Sequence, residues 1–134
     1  MIHNKVKRAA KKLKKDLHGC INIVTITEYL KGLGYAVVFF NTKNGDKLIK
    51  HYNLEEFSNG KRAFSYSYDV NIVFINDELH IRDKIYSLLH ELGHIALNHL
   101  GDNESQYSDK RMLEAEAEAF LYEVITHNNI LCIP

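Results

Sequence analysis

An α+β fold is what this 134-residue sequence predicts, on three observations. A lysine-rich stretch with an apolar stripe opens the chain, short β-branched and aromatic runs fill its middle, and two long stretches of helical period close it. The expected architecture is a small antiparallel or mixed sheet of three to five strands packed against a histidine-bearing helix and a glutamate-bearing helix near the C-terminus. With 46% hydrophobic and 25% charged residues, the composition is that of one globular domain over residues 1–134.

Residues 1–18 carry seven lysines and arginines against Asp16 alone, a net +6 that the rest of the chain balances to zero. Val6, Ala9, Ala10, Leu13 and Leu17 recur at three- and four-residue steps, which predicts a basic amphipathic helix docked by its stripe. A basic face is also an electrostatic footprint for nucleic acid or an acidic partner. A docked helix accounts for the lysines, so direct nucleic-acid contact is not expected.

In TITEYLKGLG, Thr25 and Glu28 have capping-box spacing and Gly32 or Gly34 can end a second helix. YAVVFF (35–40) reads as a buried strand, and Asn44-Gly45 signals a turn with a hairpin return through KLIKHY. RAFSYSYD (62–69) alternates apolar and polar residues ahead of VNIVFIN (70–76), a second strand pair. Helical periodicity then runs from Ile81 to about Leu100 and again from Lys110 through KRMLEAEAEAFLYEVITH.

Cys20 and Cys132 form no CxxC pair, no secretory leader is recognisable, and no 18-residue apolar run occurs. The expectation is a cytoplasmic protein with no membrane partner.

Residues 86–99, YSLLHELGHIALNH, hold His90, His94 and His99 with Glu91. His90-Glu91-Leu92-Gly93-His94 is an HExxH sequence, whose histidines stand one helical turn apart on one face and can ligate one ion, with Glu91 beside them as general base. At 100° per residue Ile81, Ile85, Leu88, Leu92 and Ile95 cluster opposite His90 and His94. A sheet should therefore cover one side of the helix, and the histidines should face whatever packs on the other.

A catalytic zinc takes three protein ligands and keeps a position for water. His99 is five residues past His94 with no glycine between, so a continuous helix carries it round to the apolar stripe; it reads as a C-terminal cap. In the last helix, Leu113, Ala117, Phe120, Leu121 and Val124 define a buried side. Glu114 and Glu118 border that side, while Glu116 and Glu123 point away from it. Two like charges four residues apart at a core edge need a cation to share. Either Glu114 or Glu118 is the third ligand, and the other accepts a hydrogen bond from a ligand histidine.

HELGHIALNH, the EAEAEAF helix, the closing CIP and the VNIVFINDEL segment together resemble the ImmA/IrrE metallopeptidases over about residues 20–134. That group shows HELGH, then E-x-x-A-[N/D]-x-F, then a hydrophobic-Pro ending. The resemblance implies a zincin-like fold of the HExxH-plus-Glu type, with Zn2+ held by His90, His94 and Glu114 and with Glu91 as base. Where the group has Asn or Asp this chain has Glu118, to which the hydrogen bond from a ligand histidine falls. It further implies a zinc-dependent endopeptidase whose protein partner is a DNA-binding helix-turn-helix repressor, an anti-repressor protease of the kind found in mobile elements. Members often carry a further domain, and at 134 residues this chain is expected to be the stand-alone peptidase. Tyr107, Arg111, Tyr122 and His127 are the candidate oxyanion donors.

The alternative is a non-catalytic metal-binding regulator that holds a repressor or nucleic acid on the same fold. An intact Glu91 favours the enzyme, because a binding module needs no base beside the metal. The remaining histidines, among them His3, His18, His51 and His80, are scattered without ligand spacing.

Overall fold

The computed structural model describes residues 2–99 and 110–126. In chain order these form α1 (Ile2–Asp16), α2 (Ile23–Gly32), β1 (Ala36–Phe40), α3 (Lys43–His51), α4 (Glu55–Ser58), β2 (Ala63–Ser67), β3 (Asn71–Asn76), α5 (Ile81–Ala96) and α6 (Lys110–Thr126). The class is α+β, with a three-stranded mixed sheet in the order β1-β3-β2.

Four consecutive apolar residues, Ile72 to Ile75, bury both faces of β3 and make it the central strand. Val73 and Ile75 point to the side covered by α1, α2, α5 and α6, where Leu30, Leu88, Leu89, Leu92, Leu97 and Phe120 complete the main core. Ile72 and Phe74 point to the other side and join Phe40, Phe64 and Ile49 of α3 in a smaller core. The Phe64 and Phe74 rings stack there at 4.9 Å. β2 and β3 form the antiparallel hairpin read from the sequence, pairing Ser65 with Val73.

The hairpin return after β1 does not form. Residues 43–51 are the helix α3, and β1 runs parallel to β3, pairing Val38 with Phe74. Leu48, Ile49 and Tyr52 fall at helical spacing, and their contribution to the smaller core outweighs the local turn preference of Asn44-Gly45. Thr42 caps the helix: its hydroxyl accepts from the Gly45 amide at 3.0 Å and donates to the Phe39 carbonyl at 2.7 Å. The glycine is needed because a Cβ at position 45 would lie 1.8 Å from the Phe39 carbonyl oxygen. The capping box of α2 sits a turn earlier than Thr25 and Glu28: Asn22 is the cap, and Thr25 returns the bond to the Asn22 amide.

α1 buries Val6, Ala10 and Leu13, with Leu17 just beyond its end, and packs on α6. Lys5, Lys7, Arg8, Lys11, Lys12 and Lys15 are exposed. Thus α6 is sandwiched between α1 and α5. Because β3 is flanked on both sides, the sheet edge beside α5 is that of β2 rather than that of the VNIVFIN strand.

Replacing Gly45 by alanine should cost about 3 kcal/mol or more, since backbone must move to admit the methyl group. Gly32→Ala, where nothing lies within 4 Å, should be neutral or stabilising by up to about 1 kcal/mol. Denaturant midpoints of the two variants check the contrast; similar losses at both positions would contradict it.

Candidate metal centre

The floor of the site is the outer face of α5. Leu88, Leu89 and Leu92 are fully buried against the sheet side, and the helical period turns His90 and His94 toward α6. Gly93 sits at the crossing of the two helices. A Cβ there would meet the Phe120 ring at 3.0 Å and the Ala117 backbone at 3.3 Å. That absent side chain lets α6 approach closely enough for its glutamates to reach the histidines.

Glu114 bridges the pair. Its Oε2 lies 2.9 Å from His90 Nε2 and its Oε1 lies 3.1 Å from His94 Nε2. Glu118, one turn on, takes the other nitrogen of His90, Nδ1 to Oε1 at 2.8 Å. The potential donor atoms of His90, Glu91 and His94 lie within 4.8 Å of one another. Glu91 Oε1 accepts a hydrogen bond from the Ser65 hydroxyl at 2.8 Å. β-strand parity explains that bond: Ser65 lies on the face of β2 opposite Phe64 and so faces α5.

Two residues stand elsewhere than their periodicity suggests. His99 is not on the apolar stripe of a continuous helix, because α5 ends at Ala96 and Asn98 takes a left-handed conformation, φ 61°. The Asn98 amide donates to the Ile95 carbonyl at 3.1 Å and the His99 amide to the His94 carbonyl at 2.8 Å, which closes a Schellman motif. This fold-back places His99 Nδ1 2.9 Å from His94 Nδ1. Glu116 does not point into solvent. It is 8% exposed and lies 2.7 Å from His99 Nε2, since the side of α6 away from its apolar stripe is also covered.

These contacts set the tautomers. Ionised Glu118 and Glu116 only accept, so His90 carries its proton on Nδ1 and His99 carries its proton on Nε2. His99 Nδ1 then accepts the Nδ1–H of His94. With no ion present, an Nε2–H on either ring donates to the Glu114 carboxylate; a cation placed there would instead take both Nε2 lone pairs and that carboxylate. Two imidazoles and a carboxylate are the donor set of an open catalytic zinc site. Two donors on one tetrahedral zinc stand about 3.3 Å apart, close to the spacing found here, so the residues fit the ion.

Burial holds Glu91 above the ordinary carboxylate range, against the Ser65 hydrogen bond and the His90 charge. Burial also holds His94 below the usual imidazole value, with the Glu114 charge pulling the other way. For Glu114, burial pushes upward, but the hydrogen bond and charge of His90 and His94 outweigh it and leave the carboxyl lowered.

A cavity of about 780 Å³ opens over these groups between β2, α5 and α6, its wall including Phe57, Lys61, Arg62 and Lys110. Arg111 and Tyr122 do not line it; Tyr122 is exposed and borders a shallow depression beside α1. Tyr107 and His127 lie outside the described residues. Ser65, His99 and Glu116 escape a reading by motif and helical face. The one sequence signal for the pair is Asn98, a residue tolerant of the left-handed conformation just where the helix should end.

A profile of the IrrE N-terminal-like domain, a peptidase family of the M78 class, matches residues 31–133. No curated protein and no solved structure shows significant similarity to the chain. Among the described residues no helix is long and apolar enough to cross a membrane.

The raised Glu91 carboxyl has a consequence for stability. An acid with a folded pKa above its unfolded value, near 4.5, contributes stability that is complete below that value and lost as pH rises through the folded pKa. In metal-free protein, Glu91→Gln should therefore melt about 2–5 °C above wild type at pH 7.5, and the gap should close toward pH 4.5. Thermal midpoints across pH after chelator treatment check this, and parallel curves would refute it.

Proposed function

The chain belongs to the IrrE N-terminal-like peptidase family, and from that premise we propose that it is a zinc-dependent endopeptidase. The observation that carries this reading is the convergence of His90 Nε2, His94 Nε2 and Glu114 beside Glu91, at the floor of an open cleft. His90, His94 and Glu114 would hold the ion. When bound, a dication at such a triad supplies Lewis acidity toward the scissile carbonyl and toward the attacking water.

The chain's own residues do the rest. Glu91 takes the proton of the attacking water and returns it to the leaving amine. Its burial makes it a stronger base than an exposed carboxylate, closer to the pH at which it must work. Ser65 keeps the carboxylate from rotating away by holding one oxygen, which leaves the other for the water. β2 is the outer strand of the sheet and lines the cleft through Ala63, Phe64 and Ser65. An extended peptide added along its edge away from β3, which among the described residues pairs with no strand, would run past Glu91. Such a mode suits a flexible segment of a folded protein.

The substrate we propose, on the strength of the family resemblance, is a DNA-binding helix-turn-helix repressor in the cytoplasm. The enzyme would act there as an anti-repressor protease.

Incubating the zinc-loaded protein with candidate repressors and mapping fragments by mass spectrometry tests the reading. Wild type should cleave at one site, and chelation should abolish cleavage. Glu91→Gln should retain its zinc but lose about 10²–10⁴-fold in rate. Repressor inactivated equally by wild type and Glu91→Gln, without cleavage, would instead establish a non-catalytic regulator.

A further inference from the structure

Among the described residues the buried polar side chains are Asn22, His94, His99 and Glu116. The last three form one hydrogen-bonded chain, His94 Nδ1 to His99 Nδ1 at 2.9 Å and His99 Nε2 to Glu116 Oε1 at 2.7 Å. Asn22 caps a helix; the other three have no such structural duty. A buried carboxylate and two buried imidazoles pay a desolvation cost that well-packed apolar side chains in the same space would avoid. Their partners satisfy them but do not make them the cheapest way to fill the core.

Their arrangement is directional. A carboxylate at Glu116 accepts from His99 Nε2–H, and a His94 that ligates through Nε2 must then carry its proton on Nδ1, where His99 Nδ1 stands ready to accept it. The reverse orientation would put a hydrogen on His94 Nε2 and block it as a ligand. Glu118 does the same for His90, but its carboxylate is 66% exposed, so water can take its place. The His94 side has no such substitute, since His99 and Glu116 are 4% and 8% exposed. The left-handed Asn98 returns His99 onto His94, and the same fold-back sets His99 Nε2 against the buried Glu116.

We propose that His99 and Glu116 are positioning residues that lock the tautomer and ring orientation of His94 and thereby set the affinity of the site for its metal ion. The inference rests on the metal reading proposed above and adds to it residues outside the ligand triad.

The test uses the full chain, stripped with chelator and titrated with Zn2+ against a chromophoric competitor, and with Co2+ followed by its visible absorption. Two variants are compared with wild type. Glu116→Gln keeps shape but can donate as well as accept, so it releases the lock. The paired change His99→Phe with Glu116→Leu removes both polar partners and leaves His94 Nδ1 without one, which should lower the thermal midpoint of the metal-free protein.

The expected result is a zinc Kd about 10–100-fold weaker in the paired variant, a smaller loss in Glu116→Gln, and Co2+ band intensities altered in both. Should the paired variant fail to fold, Glu116→Gln alone decides. Wild-type Kd and Co2+ spectrum in the folded variants overturn the positioning role while leaving the metal site intact. A wild-type protein that binds neither ion overturns the metal reading and the positioning role with it.

Discussion

The close crossing of α5 and α6 at Gly93 is the constraint on which the rest of the molecule depends. With no Cβ at that position, the Phe120 ring and the Ala117 backbone come to within contact of the α5 backbone. One turn of α6 to one side of Ala117 then sets Glu114 between His90 and His94. A helix pair held a few tenths of an ångström wider would still bury Phe120 and Val124, yet it would pull a bridging carboxylate away from both imidazoles. The same small residue therefore serves packing and site at once, which is why a glycine is tolerated in mid-helix despite its conformational cost.

Around that crossing the molecule distributes burial unevenly, and the unevenness sets the chemistry. The sheet side of α5 is dry and apolar, the His90–Glu118 end is open, and the His94–His99–Glu116 end is closed. Glu91 lies between these environments, shielded enough for its carboxyl to be raised but tethered by the Ser65 hydroxyl. Its partner on α6, Glu114, is held in the opposite direction by the two imidazoles. Two carboxylates within one cleft are thus driven apart in basicity, the arrangement by which a site assigns one to proton transfer and another to binding.

The sheet contributes position rather than chemistry, apart from Ser65. Because β1 and β3 are parallel, their connection must cross over. α3 and α4 fill part of that path, and α3 covers the sheet face away from the cleft. β2 is left at the edge beside α5, with its inward face already engaged at Glu91. A hairpin from β1 through residues 47–52 would have placed another strand in the sheet and left Phe74 and Ile72 without the apolar cover that Ile49 and Tyr52 supply.

Local sequence determined a good deal by itself. HExxH on a helix, the docked basic α1, the β2–β3 pair and the family were all legible, because each rests on a short-range period or motif that the chain carries wherever it folds. What only the tertiary structure decided was which glutamate meets which histidine. A hydrophobic period reports one buried face per helix, but the fold-back after α5 brings His99 onto α6, so Glu116 is buried on a side that reads as solvent. Likewise Asn98, not glycine, turns the chain after α5, and the direction in which His99 then points follows from one left-handed residue. The fate of residues 43–51 turned on packing against Phe64 and Phe74, distant in sequence, which outweighed a local turn signal. Burial is a property of what surrounds a side chain, and those surroundings are assembled from elements that no single stretch of sequence contains.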